Sequence, residues 1–205
     1  MNTESAVSSL VYPMSKTPVF VCLGLLGAIT CWGHGLSGSG LLHPLTGLDH
    51  FLAMIAVGAW SAQLGGKALI SVPGCFLLAM LLGGVTGLSQ LSSPYLDGAI
   101  ATSVILLGLA ITIDKRISWI PAGLAVGLFG FSHGVAHGLE IAQSSTSIGY
   151  ITGFLVTTAG LHMVGAVGGL LILEDVRGRI HLRVLGTITA IIGIYLLSRF
   201  VMDSP

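Results

Sequence analysis

Charged residues are so scarce along this chain that they restrict the solvent in which it can fold. Of its 205 residues, 8% are charged and 53% are hydrophobic. A water-soluble domain carries about a quarter charged residues, and a chain this long cannot cover a water-facing surface with fewer than half as many. In lipid, helices satisfy their backbone polar groups internally. The composition therefore predicts an all-α integral membrane protein.

Apolar stretches separated by charged or turn residues recur along the chain. Most approach the roughly 20 residues needed to cross the hydrocarbon core of a bilayer. They fall at about 44–63, 69–89, 96–113, 118–138, 148–173 and 182–202. The links between them are too short to hold a second domain. We therefore expect a bundle of six core transmembrane helices in a single domain, residues 34–205.

The N-terminal segment, residues 1–33, has two interpretations. Lys16 precedes an apolar run, Val19–Thr30, whose length suits the core of a signal peptide better than a spanning helix. The end of this run, Ala28-Ile29-Thr30, resembles a small-x-small cleavage site only loosely. The alternative is a retained extra transmembrane helix with Lys16 in the cytoplasm, which gives the other helices the same orientation. Removal is slightly favoured.

Basic residues are confined to alternate links, which predicts how the helices cross the membrane. Every lysine or arginine that lies in a link is in the first, third or fifth link: Lys67, Lys115, Arg116, Arg177, Arg179 and Arg183. Cytoplasmic loops carry the excess of lysine and arginine in membrane proteins. The odd links are therefore expected in the cytoplasm, and both ends of the six-helix core face outward, with Arg199 the one basic exception.

Glycines within the apolar stretches indicate close packing between helices. Many of the 30 glycines recur at spacings of three or four residues, as at Gly130, Gly134 and Gly138. Such residues let transmembrane helices approach closely, either within one chain or between the copies of an oligomer. The three cysteines lie singly in apolar runs and are expected to act as small hydrophobes. The formal net charge is zero, so no nucleic-acid partner is expected.

The first core stretch opens with a cluster of ionisable residues, His43-Pro44-Leu45-Thr46-Gly47-Leu48-Asp49-His50. On a helix His43 and His50 share a face, whereas Asp49 points about 100° away from His50. A carboxylate inside the membrane costs roughly 2.5–3.5 kcal/mol, of which the nearby interface relieves a part. Capping of a helix end is one explanation for this acid. An acid paired with histidine at this depth is better explained by a ligand or an ion path.

The fourth stretch ends with a second ionisable cluster. His133, His137 and Glu140 stand at i, i+4 and i+7, so they lie within about 60° of one another on one helix face. A lone histidine on an apolar helix usually serves packing. Three ionisable groups on one stripe of such a helix favour a binding site instead. His162, about halfway along the fifth stretch, is a further candidate ligand or relay, with packing as the alternative.

Ligand chemistry predicts a transition-metal ion at these residues. Imidazole with carboxylate favours Ni, Co, Zn, Cu or Fe over Mg and Ca, which prefer oxygen ligands alone. No thiolate lies near the histidines, which argues against a closed structural zinc site. In the expected orientation both clusters lie toward the outer side of the membrane. The candidate ligands are His43, Asp49, His50, His133, His137, Glu140 and, secondarily, His162.

The two clusters resemble the signatures of the HupE/UreJ family of bacterial nickel/cobalt permeases. Its HPxxGxDH signature is matched in full from His43 to His50, and its HGxAHGxE signature from His133 to Glu140. The aromatic residue that usually precedes the second signature stands one place earlier, at Phe131, so only the local packing is expected to differ. The resemblance extends from about residue 33 to the C-terminus.

This resemblance implies uptake of Ni²⁺ or Co²⁺ through a multi-pass permease of the bacterial cytoplasmic membrane. It also implies that the six ionisable residues of the two signatures form the metal path. A permease has no catalytic residues, and no prosthetic group is expected; the metal is cargo, with Zn²⁺ as another ion that these ligands accept. Family members often have a cleaved signal peptide, which favours removal of the N-terminal segment.

Other functions fit parts of the pattern. Ser132 beside His133 is compatible with an intramembrane zinc hydrolase resembling the ceramidase type, which holds Zn²⁺ with helix-borne histidines and an acid. Paired transmembrane histidines also suit haem. No GxxxxGK[ST] phosphate loop is present, so a nucleotide is not an expected partner.

Overall fold

The computed structural model describes residues 45, 47–89, 95–143 and 148–203. The N-terminal segment, residues 1–33, and His43 lie outside this part of the chain. The described residues form six helices and no strand: α1 Leu48–Leu64, α2 Ala68–Leu88, α3 Leu96–Ile113, α4 Trp119–Gln143, α5 Ile148–Leu173 and α6 Gly178–Asp203. The predicted all-helical fold is confirmed.

Two helices extend further than the apolar pattern predicts. Helix α4 continues past 138 to Gln143, and α6 begins at Gly178 rather than at 182. Both extensions contain charged residues, which end an apolar stretch but are good helix formers. Glu140 and Arg179 therefore belong to helices.

Five of the six described helices, α2 to α6, are each long and apolar enough to cross a membrane. Their exposed faces carry large apolar side chains such as Ile70, Val85 and Leu124, which suit contact with lipid rather than water. The remaining helix, α1, has 17 described residues. The chain is a multi-pass membrane protein.

Helix α1 is the central helix of the bundle. It contacts each of the other five described helices. Most residues in the stretch from 53 to 63 are buried: Ala53, Met54, Ala56, Val57, Gly58, Trp60, Ser61, Ala62 and Gln63. A helix that is buried along most of its length can carry polar residues that a lipid-facing helix cannot. One of these, Gln63, donates from Nε2 to the carbonyl of Ile111 at 3.0 Å and so satisfies a backbone group in the last turn of α3.

The helices pair chiefly with partners that are not their neighbours in sequence. The most extensive packing joins α2 to α4, α3 to α6, and α1 to α5. Glycine makes the first of these contacts very close. A Cβ added at Gly83 would overlap the carbonyl oxygen of Phe131, and one added at Gly134 would overlap that of Met80. The predicted role of the glycines in helix packing is thus seen directly between α2 and α4.

One end of the bundle carries the basic residues. The turn from α1 to α2 places Gly65 and Gly66 at φ of 71° and 55°, a left-handed conformation that glycine adopts without steric cost. Across the same end, Arg179 in α6 donates to both carboxylate oxygens of Asp114, at 2.8 and 3.0 Å. Since Asp114 follows the last residue of α3, this ion pair joins the ends of α3 and α6.

Candidate metal-binding site

Three imidazoles from two helices meet at the opposite end of the bundle. His50 lies in the first turn of α1, and His133 and His137 lie one turn apart in the C-terminal half of α4. The ring centroid of His50 is 4.9 Å from that of His133 and 4.7 Å from that of His137. The rings meet edge to face, at interplanar angles of 79° and 60°. The two sequence motifs therefore converge, and we call these three residues the imidazole cluster.

The glycines beside the cluster bring the helix backbones close enough for the cluster to form. Gly134 and Gly138 each follow a histidine of α4, and a Cβ on either would overlap a backbone oxygen of α2. Because α2 comes so near, Phe76 on that helix contacts the ring of His133, with centroids 5.3 Å apart. The cluster is consequently shielded: His133 is fully buried and His137 is 2% exposed.

Every described histidine of the candidate site has its Nδ1 atom bonded to an oxygen. His50 bonds to Asp49 Oδ1 at 2.8 Å, and His137 bonds to Glu140 Oε2 at 3.1 Å. His133 bonds to the carbonyl of Phe129, and His162 to that of Met54, both at 2.8 Å. A carbonyl or carboxylate oxygen only accepts. Each Nδ1 is therefore the donor, and each neutral ring carries its proton there.

This shared tautomer leaves the lone pair of each of the four rings on Nε2. A neutral imidazole protonated at Nδ1 keeps an Nε2 lone pair, and metal-ligating histidines commonly donate their other nitrogen to an oxygen in this way. The four Nε2 atoms are buried. Those of His133 and His162 have no hydrogen-bond partner within the described part of the chain. Buried polar atoms are nearly always satisfied, so these two atoms call for a ligand.

The two carboxylates contact histidines of the cluster, one each. The helical wheel places Asp49 about 100° from His50, but the structure folds its carboxylate back onto that residue. Asp49 Oδ1 accepts from the backbone N–H of His50 as well as from its ring, each at 2.8 Å. The N–H groups of a first helical turn lack intrahelical partners, and a short acidic side chain is well placed to satisfy one. Asp49 thus both caps the helix and orients an imidazole.

His162 lies apart from the cluster. It is 2% exposed, and it packs against the ring of Phe76 at a centroid distance of 4.9 Å, with the rings nearly perpendicular. Phe76 also contacts His133, so its ring touches both His162 and the cluster. His43, the remaining candidate, lies outside the described residues. The histidines that the structure brings together are therefore His50, His133 and His137.

The cluster is not a finished coordination site. Over the described ranges, no group of three or more His, Cys, Asp or Glu side chains already has the arrangement needed to hold a metal ion. Edge-to-face rings must rotate before their Nε2 atoms can share one ion. The structure therefore places three imidazoles together, each with an oxygen partner for its Nδ1 atom, but not yet in the arrangement that one shared ion requires.

Two aromatic residues at the site were not singled out from the sequence. Phe76 contacts both His133 and His162, and Phe154 contacts His137 with ring centroids 4.0 Å apart. Both are single phenylalanines in apolar helices, where a phenylalanine in the core looks the same as one beside a site. Only the distance from the histidines, which depends on helix packing, identifies them.

Comparison with known proteins identifies the family of this chain. The model of the HupE/UreJ family, described as "HupE / UreJ protein", matches residues 17–196. The chain belongs to the HupE/UreJ family. It is 40% identical over 159 residues to Protein HupE of Rhizobium leguminosarum bv. viciae, an alignment that covers 78% of this chain and 83% of that protein. No solved structure gives a significant match.

The family match includes both clusters of ionisable residues. It also starts at residue 17, ahead of residue 33, where the motif-based resemblance began, and so takes in the apolar run of the N-terminal segment. Membership of the HupE/UreJ family was predicted from the two motifs, and it is confirmed.

Proposed function

We propose that this HupE/UreJ protein is a permease that takes up Ni²⁺ or Co²⁺, and that His50, His133 and His137 bind the ion as it enters. The observation that carries the proposal is the shared tautomer of these rings. Each ring donates a hydrogen bond from Nδ1–H to an oxygen and keeps its Nε2 lone pair in the buried interior. Histidine must present such a lone pair to bind a metal.

The charge of the site suits a divalent cation. Asp49 and Glu140 are the two carboxylates bonded to the cluster, and the rings themselves are neutral when they ligate. Two negative charges balance one divalent ion, which matters because an uncompensated charge is expensive inside the membrane. We assign these carboxylates to orienting the rings and balancing charge. His43, which the family signature includes, stays a candidate for the outermost ligand.

A site that must rearrange to bind is appropriate for a carrier. A transported ion has to leave again, so its site must bind more weakly than a closed four-ligand zinc site does. The edge-to-face rings give this property, because part of the binding free energy is spent on turning them toward one ion. Nickel and cobalt both accept imidazole ligands, and competitive uptake is the measurement that separates them.

The membrane potential is sufficient to drive inward movement. At 100 mV it supplies about 2.3 kcal/mol per elementary charge, and about twice that for a divalent ion. We place the cluster on the outer side of a bacterial cytoplasmic membrane, because the basic links lie at the other end of the bundle and lysine and arginine mark the cytoplasmic side. No nucleotide is needed for modest accumulation.

The position of Ser132 gives no support to a zinc hydrolase. Its hydroxyl donates to the carbonyl of Leu128, one turn earlier on its own helix, at 3.3 Å. Its side chain lines a groove with Tyr95 of the α3 start and Phe200 of α6. The histidines of the cluster do not line this groove. The serine is therefore not placed to attack a substrate bound at the imidazole cluster.

Uptake by whole cells tests the proposal. Cells without their own nickel and cobalt transporters are given this chain, and entry of labelled Co²⁺ or Ni²⁺ is measured. We expect uptake to be reduced at least about tenfold in H133A and H137A, because loss of a group that merely orients a metal ligand already costs about 10–100-fold in metal affinity. The matched control is H181A, which removes an exposed histidine of α6. Wild-type uptake by H133A at equal expression would contradict the site assignment.

A further inference from the structure

His162 is a buried histidine that the imidazole cluster does not explain. It lies about midway along α5 and is 2% exposed. Its Nδ1–H donates to the carbonyl of Met54 on α1 at 2.8 Å, so the ring ties two helices together. A tether of this kind needs only one donor, which a neutral amide supplies equally well.

The burial of the second ring nitrogen of His162 is not explained by this tether. His162 Nε2 is buried and has no hydrogen-bond partner among the described residues. A buried polar atom left unsatisfied costs about 1–3 kcal/mol. A side chain that served packing alone would not carry this atom, since phenylalanine or leucine fills similar space without the penalty. The lone pair instead suits a ligand that is present only part of the time.

Phe76 contacts both this ring and the outer cluster. Its side chain is fully buried, and its ring centroid lies 5.3 Å from that of His133 and 4.9 Å from that of His162. The apolar ring therefore contacts two imidazoles that each carry an unsatisfied Nε2.

Its hydrogen bond also places His162 deeper in the bundle than the cluster. Met54, its partner, stands four residues after His50 along α1, which corresponds to about 6 Å further from the helix start at the rise of an α-helix. His162 therefore lies further into the bundle than the imidazole cluster. Phe76 contacts both His133 and His162.

We propose that His162 is a second, inner station for the transported divalent cation, reached from the imidazole cluster when the ring of Phe76 moves aside. The inference rests on the proposed function, because the cluster must first deliver the ion. A single imidazole, completed by water, binds a transition-metal ion more weakly than three imidazoles do. Because the inner station has fewer imidazole ligands than the cluster, it can release the ion toward the cytoplasm.

The test uses two variants of His162 that distinguish its hydrogen bond to α1 from its proposed role as a metal ligand. In H162N the amide nitrogen stands close to the position of Nδ1 and keeps the hydrogen bond to the carbonyl of Met54, while the Nε2 ligand is removed. H162A removes both. Two quantities are measured: uptake of labelled Co²⁺ into cells, and the visible absorption of Co²⁺ bound to the purified full-length chain.

We expect uptake by H162N to fall at least about tenfold, within the range seen when an interaction that orients or holds a metal is lost. Its melting temperature and the Co²⁺ absorption of the outer cluster are expected to match the wild type. H162A is expected to lose uptake as well and to melt at a lower temperature. Wild-type uptake by H162N would overturn the inner station and leave His162 as a tether. Loss of the cluster's Co²⁺ absorption in H162N would also overturn it, because His162 would then belong to the outer site.

Failure of the proposed function gives a different result. In that case the unmodified chain neither takes up Co²⁺ nor shows Co²⁺ absorption, whatever residue stands at position 162. The two proposals are thus tested by different samples: the wild type tests the permease, and the comparison of H162N with the wild type tests the inner station.

Discussion

The carboxylate of Asp49 accepts two hydrogen bonds from His50, one from its backbone N–H and one from its ring, each 2.8 Å long. One oxygen atom therefore caps the start of α1 and fixes the orientation of an imidazole. The family signature that contains the pair of adjacent residues Asp-His thus has a local physical meaning. The acid acts on the neighbouring histidine, and through it on the imidazole cluster.

Removal of the Asp49 charge should separate this orienting role from charge balance. In D49N the amide oxygen still accepts both hydrogen bonds from His50, whereas D49A removes the acceptor. We expect a raised KM for Co²⁺ uptake in D49N, with a smaller change in maximal rate, since the ring keeps its orientation. D49A should lower uptake about 10–100-fold, the range typical when a group that orients a metal ligand is removed. Equal uptake by D49A and the wild type would show that His50 needs no such partner.

The corresponding acid on α4 gives an independent prediction. Glu140 accepts from His137 Nδ1 at 3.1 Å, and its side chain is 48% exposed. Because solvent already screens this charge, E140Q should lower uptake less than D49N does. The double variant D49N/E140Q leaves a divalent ion without a counter-charge and should be more impaired than either single variant. A double variant no worse than D49N would argue that Glu140 plays no part in charge balance.

Two adjacent glycines of α2 provide a matched test of helix packing. A Cβ at Gly83 would overlap the carbonyl of Phe131, whereas one at Gly84 would lie 3.7 Å from the carbonyl oxygen of Gly134 on α4, an ordinary contact. We expect G83A to lower the free energy of unfolding by about 1–3 kcal/mol, the usual cost of overpacking. G84A should be near neutral. Thermal unfolding of the purified protein in detergent measures both, and equal melting temperatures would contradict the close α2–α4 contact.

The orientation of the bundle is testable with single cysteines in a cysteine-free background. Lys67 and Lys115 are exposed in links that we expect in the cytoplasm, and Tyr95 is 74% exposed at the start of α3, at the expected outer side. A membrane-impermeant maleimide should label Y95C in intact cells. It should label K67C and K115C only after permeabilisation, because basic links stay on the cytoplasmic side. The reverse pattern would place the imidazole cluster on the inner side and overturn its role in entry.

Features that follow from local patterns were predictable from the sequence. The apolar stretches predicted six helices, and the spacing of His133 and His137 placed them on one face of a helix. Alternation of the basic links placed both motifs at the same end of the bundle. His50 does contact both histidines of α4. Each of these inferences uses only helix geometry and the charge pattern of the links.

Features that depend on packing between distant segments were not predictable in this way. Phe76 contacts both His162 and the cluster, and its position depends on how α2 packs on α4. The contact of Asp49 with His50 depends on a side-chain rotamer at a helix start, which a helical wheel does not contain. The central position of α1 likewise comes from the contacts of the whole bundle.

The pairing of α1 with α5, α2 with α4 and α3 with α6 also restricts the order in which the molecule is made. During synthesis the first three helices enter the bilayer before any of their principal partners has been translated. At that stage the chain holds one imidazole of the cluster, His50, with its partner Asp49. The arrival of α4 supplies the other two, and only α6, the last described helix, completes the final pair. A chain released before α4 therefore lacks two of the three imidazoles of the cluster.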